Sequence, residues 1–266
     1  MKIYSDILQH EVRLEYMRPE AIEAAKQQHP FIYVPFGAIE WHGYHNPVGL
    51  DALKAHEQLV GLAVELGGVV YPSIYFGSGG GHLDWPATYM VAKEPMIQIV
   101  VDLLHGFEKN GYRKVILISG HYPNRSEYLD AAAEVYRQAG GQMAVLALVE
   151  NQAPGVGGDH AAKFETSSML YLHSETVDMR RLDDERYPDA GDPNQSINWM
   201  GKEYQGHPCY GLVGVDARHA SPEIGRDNTI HLITFLKRWL MTTPPAKAGR
   251  LLSTEVEGSF VQEPKY

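Results

Sequence analysis

Thirteen histidines are spread over the 266 residues, and those with carboxylate neighbours gather in four short segments. The first is Gly37-Ala38-Ile39-Glu40-Trp41-His42-Gly43-Tyr44-His45-Asn46-Pro47, with Asp51 close behind. The second is Gly77-Ser78-Gly79-Gly80-Gly81-His82-Leu83-Asp84-Trp85-Pro86, and the third is Ser119-Gly120-His121-Tyr122-Pro123-Asn124. The fourth runs from Gly158-Asp159-His160 to Glu165-Thr166-Ser167. A divalent cation takes deprotonated carboxylate oxygen and neutral imidazole nitrogen, three or more ligands aimed at one point. Glu40, His42, Asp51, His121 and Glu165 offer that mixture with no thiolate among them. Glu40 and His42 lie two positions apart, so in an extended segment both side chains face the same way. Each residue also has an ordinary explanation. A Glu at a strand end is usually solvated, and Asp51 ahead of Ala52-Leu53-Lys54 suits a helix N-cap. His121, directly behind an apolar run, sits where a crevice would open.

The elements in front of the four segments would make them one site. Short β-branched and aromatic runs alternate with longer helical patterns, as in a sheet with crossover helices. Strands are expected over 31–36, 69–75, 114–118 and 143–149, although Pro35 and Pro72 belong at strand ends or edges. Helices are expected over 51–66, 94–109, 124–139 and 222–240, with a shorter one over 163–173, each bounded by a Gly, Pro, Asp or Ser signal. An open α/β sheet binds its ligand beyond the carboxyl ends of its strands, and the four segments follow those ends. The polar, proline-containing stretch 183–205 reads as a long excursion from one α/β domain spanning 1–266, since no internal repeat or low-complexity linker divides the chain.

Composition removes several classes of function. At 44% hydrophobic residues the chain can fill a core, which excludes disorder as its main state. A net charge of −10, with no basic run longer than Arg180-Arg181, leaves no footprint for nucleic acid or an anionic membrane. No apolar run approaches the roughly 20 residues needed to cross a bilayer. The single cysteine, Cys209, excludes a disulfide framework and a Cys-rich zinc module. Met1-Lys2-Ile3-Tyr4-Ser5-Asp6 has no apolar signal core, so a cytoplasmic protein is expected. The glycines at 77–81 could form an anion nest, but no Gly-x-x-x-x-Gly-Lys-Ser/Thr pattern follows and no nucleotide site is expected.

Three of the segments together resemble the creatininase (creatinine amidohydrolase) family. That family's pattern is Glu-x-His-Gly with an Asp eleven residues after the Glu, then Asn-Gly-His, then His-x-x-x-x-Glu-Thr-Ser. The counterparts here are Glu40-Trp41-His42-Gly43 with Asp51, Ser119-Gly120-His121, and His160-Ala161-Ala162-Lys163-Phe164-Glu165-Thr166-Ser167. Ala220-Ser221-Pro222-Glu223-Ile224-Gly225 is similar to the family's late Ala-Ser-x-Glu-x-Gly motif. The resemblance implies a three-layer αβα sandwich with a mostly parallel central sheet. It also implies a metal-dependent hydrolase of a small cyclic amide, assembled as a homohexamer. It places one cation on Glu40, Asp51 and His121 and a second on His42 and the bridging Asp51. One or two divalent ions per chain are expected, Zn or Mn, with Fe suiting the same ligands. The nucleophile would be a metal-activated water. His160 would be the general acid/base that hands a proton to the departing nitrogen, with His45 and Tyr122 next in line for that role.

The chain departs from the family pattern twice. Creatininase itself carries a Glu two residues after the strand-end His as a second-site ligand, and Pro123 stands there. Glu165 is expected to complete that site instead. The two tryptophans that box creatinine fall near Val149 and Val156, so a flat ring would lose its stacking walls. Trp41 and Trp85 are alternative walls. Substrate contacts are expected from Tyr122, Gly80, Gly81 and Trp85, the family's equivalent glycine loop lining its active site. The same centre could act on a lactone, ester or formamide. A non-catalytic metal or metabolite binder is the remaining reading; Pro123 favours it and the retained His160 speaks against it. Tyr187, Ile197, Trp199 and Met200 on the long excursion are expected to need cover from another copy of the chain.

Overall fold

The structure is a computed structural model and describes residues 11–244. The N-terminal segment read above for a signal core, and the end of the expected domain at 245–266, lie outside the described residues. In chain order the elements are α1 (Pro19–Gln28), β1 (Phe31–Phe36), α2 (Leu50–Leu66), β2 (Val69–Val70), α3 (Lys93–Lys109), β3 (Lys114–Ser119), α4 (Asp130–Gln138), β4 (Ala144–Val149), α5 (Lys163–Leu172), β5 (Ile197–Asn198), β6 (Val213–Gly214) and α6 (Pro222–Thr242). Short single-turn helices connect several of them.

β1, β3 and β4 read as near-continuous apolar runs because parallel strands are covered on both faces. All pairing in the main sheet is parallel, in the order β2-β1-β3-β4, with Phe31 opposite Lys114 and Lys114 opposite Ala144. Alternate side chains serve opposite layers. Ile32, Val34, Phe36, Val115 and Leu117 pack against α3 and the α4 segment through Val100, Leu104, Tyr128 and Tyr136. Phe31, Tyr33, Ile116, Ile118, Leu146 and Leu148 pack against α2 and α6 through Leu59, Leu62, Leu232 and Leu236. The result is the expected three-layer αβα sandwich with a parallel central sheet.

Three expectations change in detail. The strand over 69–75 pairs only at Val69–Val70. Pro72 has no N–H to give a ladder, and the chain rejoins the sheet only through the single bridge of Ile74 with Phe36. The helix over 124–139 opens with a π turn, Arg125–Leu129, before α4. α1 escapes the sequence reading because none of its residues is buried, so it shows no core-facing stripe.

The long excursion folds back on its own chain, contrary to the expectation that its apolar residues need another copy. Trp199 is buried with Leu182, Cys209, Leu212 and Ala217, and its ring stacks on His207 at 4.4 Å. Ile197 pairs with Gly214 in the β5–β6 ribbon.

α6 begins at Ser221-Pro222, where the serine hydroxyl accepts from the Ile224 N–H. One turn into the helix, a Cβ on Gly225 would stand 2.0 Å from the Ser167 carbonyl oxygen of α5. Gly225→Ala is therefore expected to cost about 3 kcal/mol of stability, the upper end for overpacking against immobile backbone, and chemical denaturation would measure it. A change below about 0.5 kcal/mol would mean the two helices can part freely.

Candidate metal centre

β2 lies on one side of β1 and β3 on the other, so the strand order reverses between β1 and β3. A crevice opens at such a switch point, and the segment after β1 carries Glu40 and His42 while His121 follows β3. Two glycines let α2 close over the crevice. A Cβ on Gly37 would meet the Ala52 nitrogen at 2.2 Å, and one on Gly120 would meet the Asp51 carbonyl oxygen at 2.2 Å. The first turn of α2 therefore rests directly on both strand ends. Its N-cap is Gly49, so Asp51 is not the cap that its sequence context allowed. Its side chain points down between the imidazoles.

The five expected ligands converge, each 3% exposed or less. His121 Nδ1 lies 2.7 Å from Glu40 Oε2 and 3.5 Å from Asp51 Oδ2. His42 Nε2 lies 3.2 Å from Asp51 Oδ1 and 3.7 Å from Glu165 Oε2. The backbone oxygen of Glu40, 3.0 Å from His42 Nδ1, assigns that ring's proton to Nδ1. His42 Nε2 is then the nitrogen flanked by two carboxylates, where either a proton or a cation can sit. Glu40 Oε2, Asp51 Oδ2, His42 Nε2 and His121 Nε2 are all buried without a hydrogen-bond partner. Buried polar atoms are seldom left unpaired, and acceptors that face acceptors fit a cation between them. The donor set, imidazole and carboxylate alone, suits zinc, manganese or iron.

Electrostatics describe the same arrangement without a cation. Burial alone would lower His42 and His121, but the carboxylates, Asp51 foremost, push them up to about 9 and about 10. Burial would raise Glu40 and Asp51, yet His121 and His42 respectively hold them well below the usual carboxylate range. Without a cation, protons on the two imidazoles supply the positive charge that the carboxylates draw in, and a bound cation would take their place.

Glu165 reaches the site from α5. Its Oε1 accepts from Lys54 Nζ at 2.6 Å and its Oε2 from the Ala161 N–H at 2.6 Å. Ala161 has a positive φ of 53°, a strained turn for a residue with a Cβ, which the Glu165 contact helps to hold. Lys54 also lies 3.1 Å from Glu150 Oε2, and burial pushes the Glu150 carboxyl up to about 7 despite that partner.

His160 lies over the cluster, its ring 4.6 Å from that of His42 and stacked at 3.9 Å on His82. Trp41 O, 2.9 Å from His160 Nε2, assigns the proton there and leaves Nδ1 bare. Burial and the neighbouring His42 hold His160 well below its ordinary value, so it is a neutral imidazole at pH 7. It does not cap α5, because Asp159 accepts from the Phe164 and Glu165 N–H groups. His160 can also approach His42 and Glu165 as a ligand, since atoms of the three lie within 4.8 Å of one another.

Sequence reasoning passed over three residues. His82 brings Nδ1 to 3.3 Å from Glu40 Oε1 while Nε2 meets the Gly211 oxygen at 2.8 Å. Its glycine-rich segment was visible, but nothing tied that segment to Glu40. Lys54 and Glu150 each look solvent-facing, one on a helix and the other after a strand. His45 Nε2 lies 2.9 Å from Thr166 Oγ1, and its Nδ1 is buried without a partner.

Among the expected substrate contacts, Gly80 lies on the cluster. Its φ of +101° needs a glycine, and a Cβ there would stand 3.2 Å from His121 Cε1. Gly81 lies instead against Met200. Tyr122 lies beside Lys54, whose Nζ is 5.2 Å from the ring centre. Trp85 packs against Trp41, His82 and Tyr210, so the two tryptophans make a cluster next to His82 rather than two facing walls. Val149 is buried, and Val156 packs against the α2–α6 core.

Residues 15–239 match the family model described as Creatininase: Creatinine amidohydrolase. The chain is 30% identical to the creatinine amidohydrolase of Pseudomonas putida over 191 residues, 62% of this chain and 72% of that protein. Its fold superposes on a manganese creatininase with a TM-score of 0.68 at 24% identity, covering 89% of this chain and 100% of the other. A mutant creatininase of Zn-Zn type gives 0.67 at 24% identity over the same shares. With most of its length matched by that model, the chain belongs to the creatininase family.

Proposed function

We propose that this chain is a metal-dependent hydrolase that cleaves a C–N bond of a small cyclic amide, with His160 as general acid/base. The observation that carries the reading is the buried cluster in which Glu40 and Asp51 crowd His42 and His121 at 2.7 to 3.5 Å, with several of the polar atoms left without a hydrogen-bond partner. Glu40, Asp51 and His121 would hold one divalent cation, and His42, Asp51 and Glu165 a second. Zinc and manganese are the metals of the two creatininase structures above, and iron accepts the same ligands. When bound, such a pair lowers the pKa of water and stabilises the charge that builds on a carbonyl oxygen as it becomes tetrahedral. His160 then does the proton work. Its bare Nδ1 takes a proton from the attacking water and returns it to the leaving nitrogen, which departs poorly as an unprotonated amine.

Gly80 would let the backbone approach the substrate carbonyl, with Gly81, Tyr122 and Trp85 around it. The aliphatic side chains at Val149 and Val156 favour a ring other than creatinine, since they offer no stacking face. A lactone, ester or formamide could use the same centre. Two measurements test the reading. Elemental analysis should find a divalent transition metal, and a panel of lactams, hydantoins, lactones and formamides should show turnover that a strong chelator abolishes. Protein without such metal, whose stability the chelator leaves unchanged, would refute it.

Assembly and location belong to the same proposal. Tyr44, Phe76, Leu83 and Tyr89 are each more than half exposed, which supports a homo-oligomer, with the family resemblance pointing to a hexamer. Sedimentation at one chain mass over a wide concentration range would remove that claim. No described helix is long and apolar enough to cross a membrane.

A further inference from the structure

We infer that Lys54 is a positioning residue that, braced by Glu150, holds the Glu165 carboxylate so that one oxygen completes the His42 half of the centre. It thereby replaces the acid that Pro123 cannot supply. The inference rests on the two-cation reading proposed above. Lys54 lies three residues beyond Asp51 on α2 and is 1% exposed. A lysine is almost never buried so fully unless it is paired. Here it is paired twice, with Glu165 Oε1 at 2.6 Å and Glu150 Oε2 at 3.1 Å. Glu150 directly follows β4, so the brace is anchored to the sheet.

The lone pairs of Glu165 can be counted. An ionised carboxylate offers about four acceptor sites on two oxygens. Lys54 engages Oε1, and the Ala161 N–H engages one site on Oε2. What remains of Oε2 faces His42 Nε2 at 3.7 Å. Held from both oxygens, the group is fixed in orientation and turns Oε2, the oxygen that approaches His42, toward the cation position. An acid at position 123 would have been carried by the loop behind β3, next to His121. Glu165 comes from α5 and needs an external hold to arrive in the same orientation. Partners one step beyond the ligands typically change metal affinity by about 10- to 100-fold when removed.

Zinc titration of metal-depleted, full-length protein tests the assignment, comparing the parent with Lys54→Met and with Lys54→Met/Glu150→Gln. The double variant avoids stranding Glu150 as a buried, unpaired charge. The parent is expected to take two equivalents. Both variants should keep the tighter site within about 3-fold and weaken the other by about 10- to 100-fold. A lysine that merely packs would lower the melting temperature of the zinc-free protein and leave both affinities alone, which overturns the inference. A parent that takes one equivalent, unaffected by Glu165→Gln, overturns it too, because Glu165 then completes nothing. A parent that takes no zinc and no manganese refutes the proposed function itself. Should the variants fail to fold, a crystal structure of the zinc-loaded parent decides. Zinc on Glu165 Oε2 with Lys54 on Oε1 supports the inference, and zinc on Oε1 or on both oxygens overturns it.

Discussion

Asp51→Ala is expected to empty both cation positions at once and to remove nearly all turnover. Its two carboxylate oxygens serve different partners, Oδ1 toward His42 at 3.2 Å and Oδ2 toward His121 at 3.5 Å. Among the described residues no other carboxylate lies against both His42 and His121. The remaining ligands would be Glu40 with His121 on one side and His42 with Glu165 on the other, two apiece, where a stable site needs three or more. Enzymatic accelerations begin at about 10⁶-fold, and a hydrolase whose water is activated by metal loses most of that when the metal goes. Metal equivalents and turnover should therefore fall together. Glu165→Gln, by contrast, should lower occupancy of one site and spare the other. If Asp51→Ala kept one full equivalent and a measurable share of activity, Asp51 would belong to a single site and the bridging role would be wrong.

His160→Ala should do the opposite to metal content. It is expected to retain the parent's metal while turnover drops by about 10² to 10⁴, the usual contribution of a general acid/base. The bond from Nε2 to Trp41 O fixes the ring with Nδ1 free, and a low pKa keeps that nitrogen unprotonated at neutral pH. An amide should suffer more than an activated ester, because an alkoxide leaves with less help from a proton than an amine does. Metal loss in this variant would make His160 a ligand alongside His42 and Glu165, whose ligand atoms lie within 4.8 Å of its own. Undiminished amide hydrolysis would pass the proton role to His45 or Tyr122.

Much of the molecule is legible in its sequence. Strands β1, β3 and β4 announced themselves because strands buried on both faces must be apolar throughout, and their limits at 31–36, 114–119 and 144–149 differ from expectation by at most a residue. The starts of α2, α3, α5 and α6 were nearly as clear, Ser221-Pro222 being both an N-cap and a first-turn proline. The residues proposed as ligands were visible too, since carboxylate and imidazole in quantity behind strand ends are what such a cation takes. These properties are local. They depend on what a residue is and what stands a few positions away.

Tertiary structure decided what depends on distance across the fold. Glycines at 37 and 120 were noted only as parts of motifs, and packing shows that they let α2 descend onto two strand ends and aim Asp51 between His42 and His121. Lys54 illustrates the limit well. Its sequence context is an ordinary helical surface, and it is buried only because Glu150 from the end of β4 and Glu165 from α5 arrive at the same point. A charge that costs so much to remove from water is tolerated when its partners meet it there, and partners 96 and 111 residues away leave no periodicity to read. The same reasoning covers His82, brought to Glu40 by a glycine loop with no regular structure. Short-range chemistry chose the ligands of this centre, and long-range packing decided how they are held.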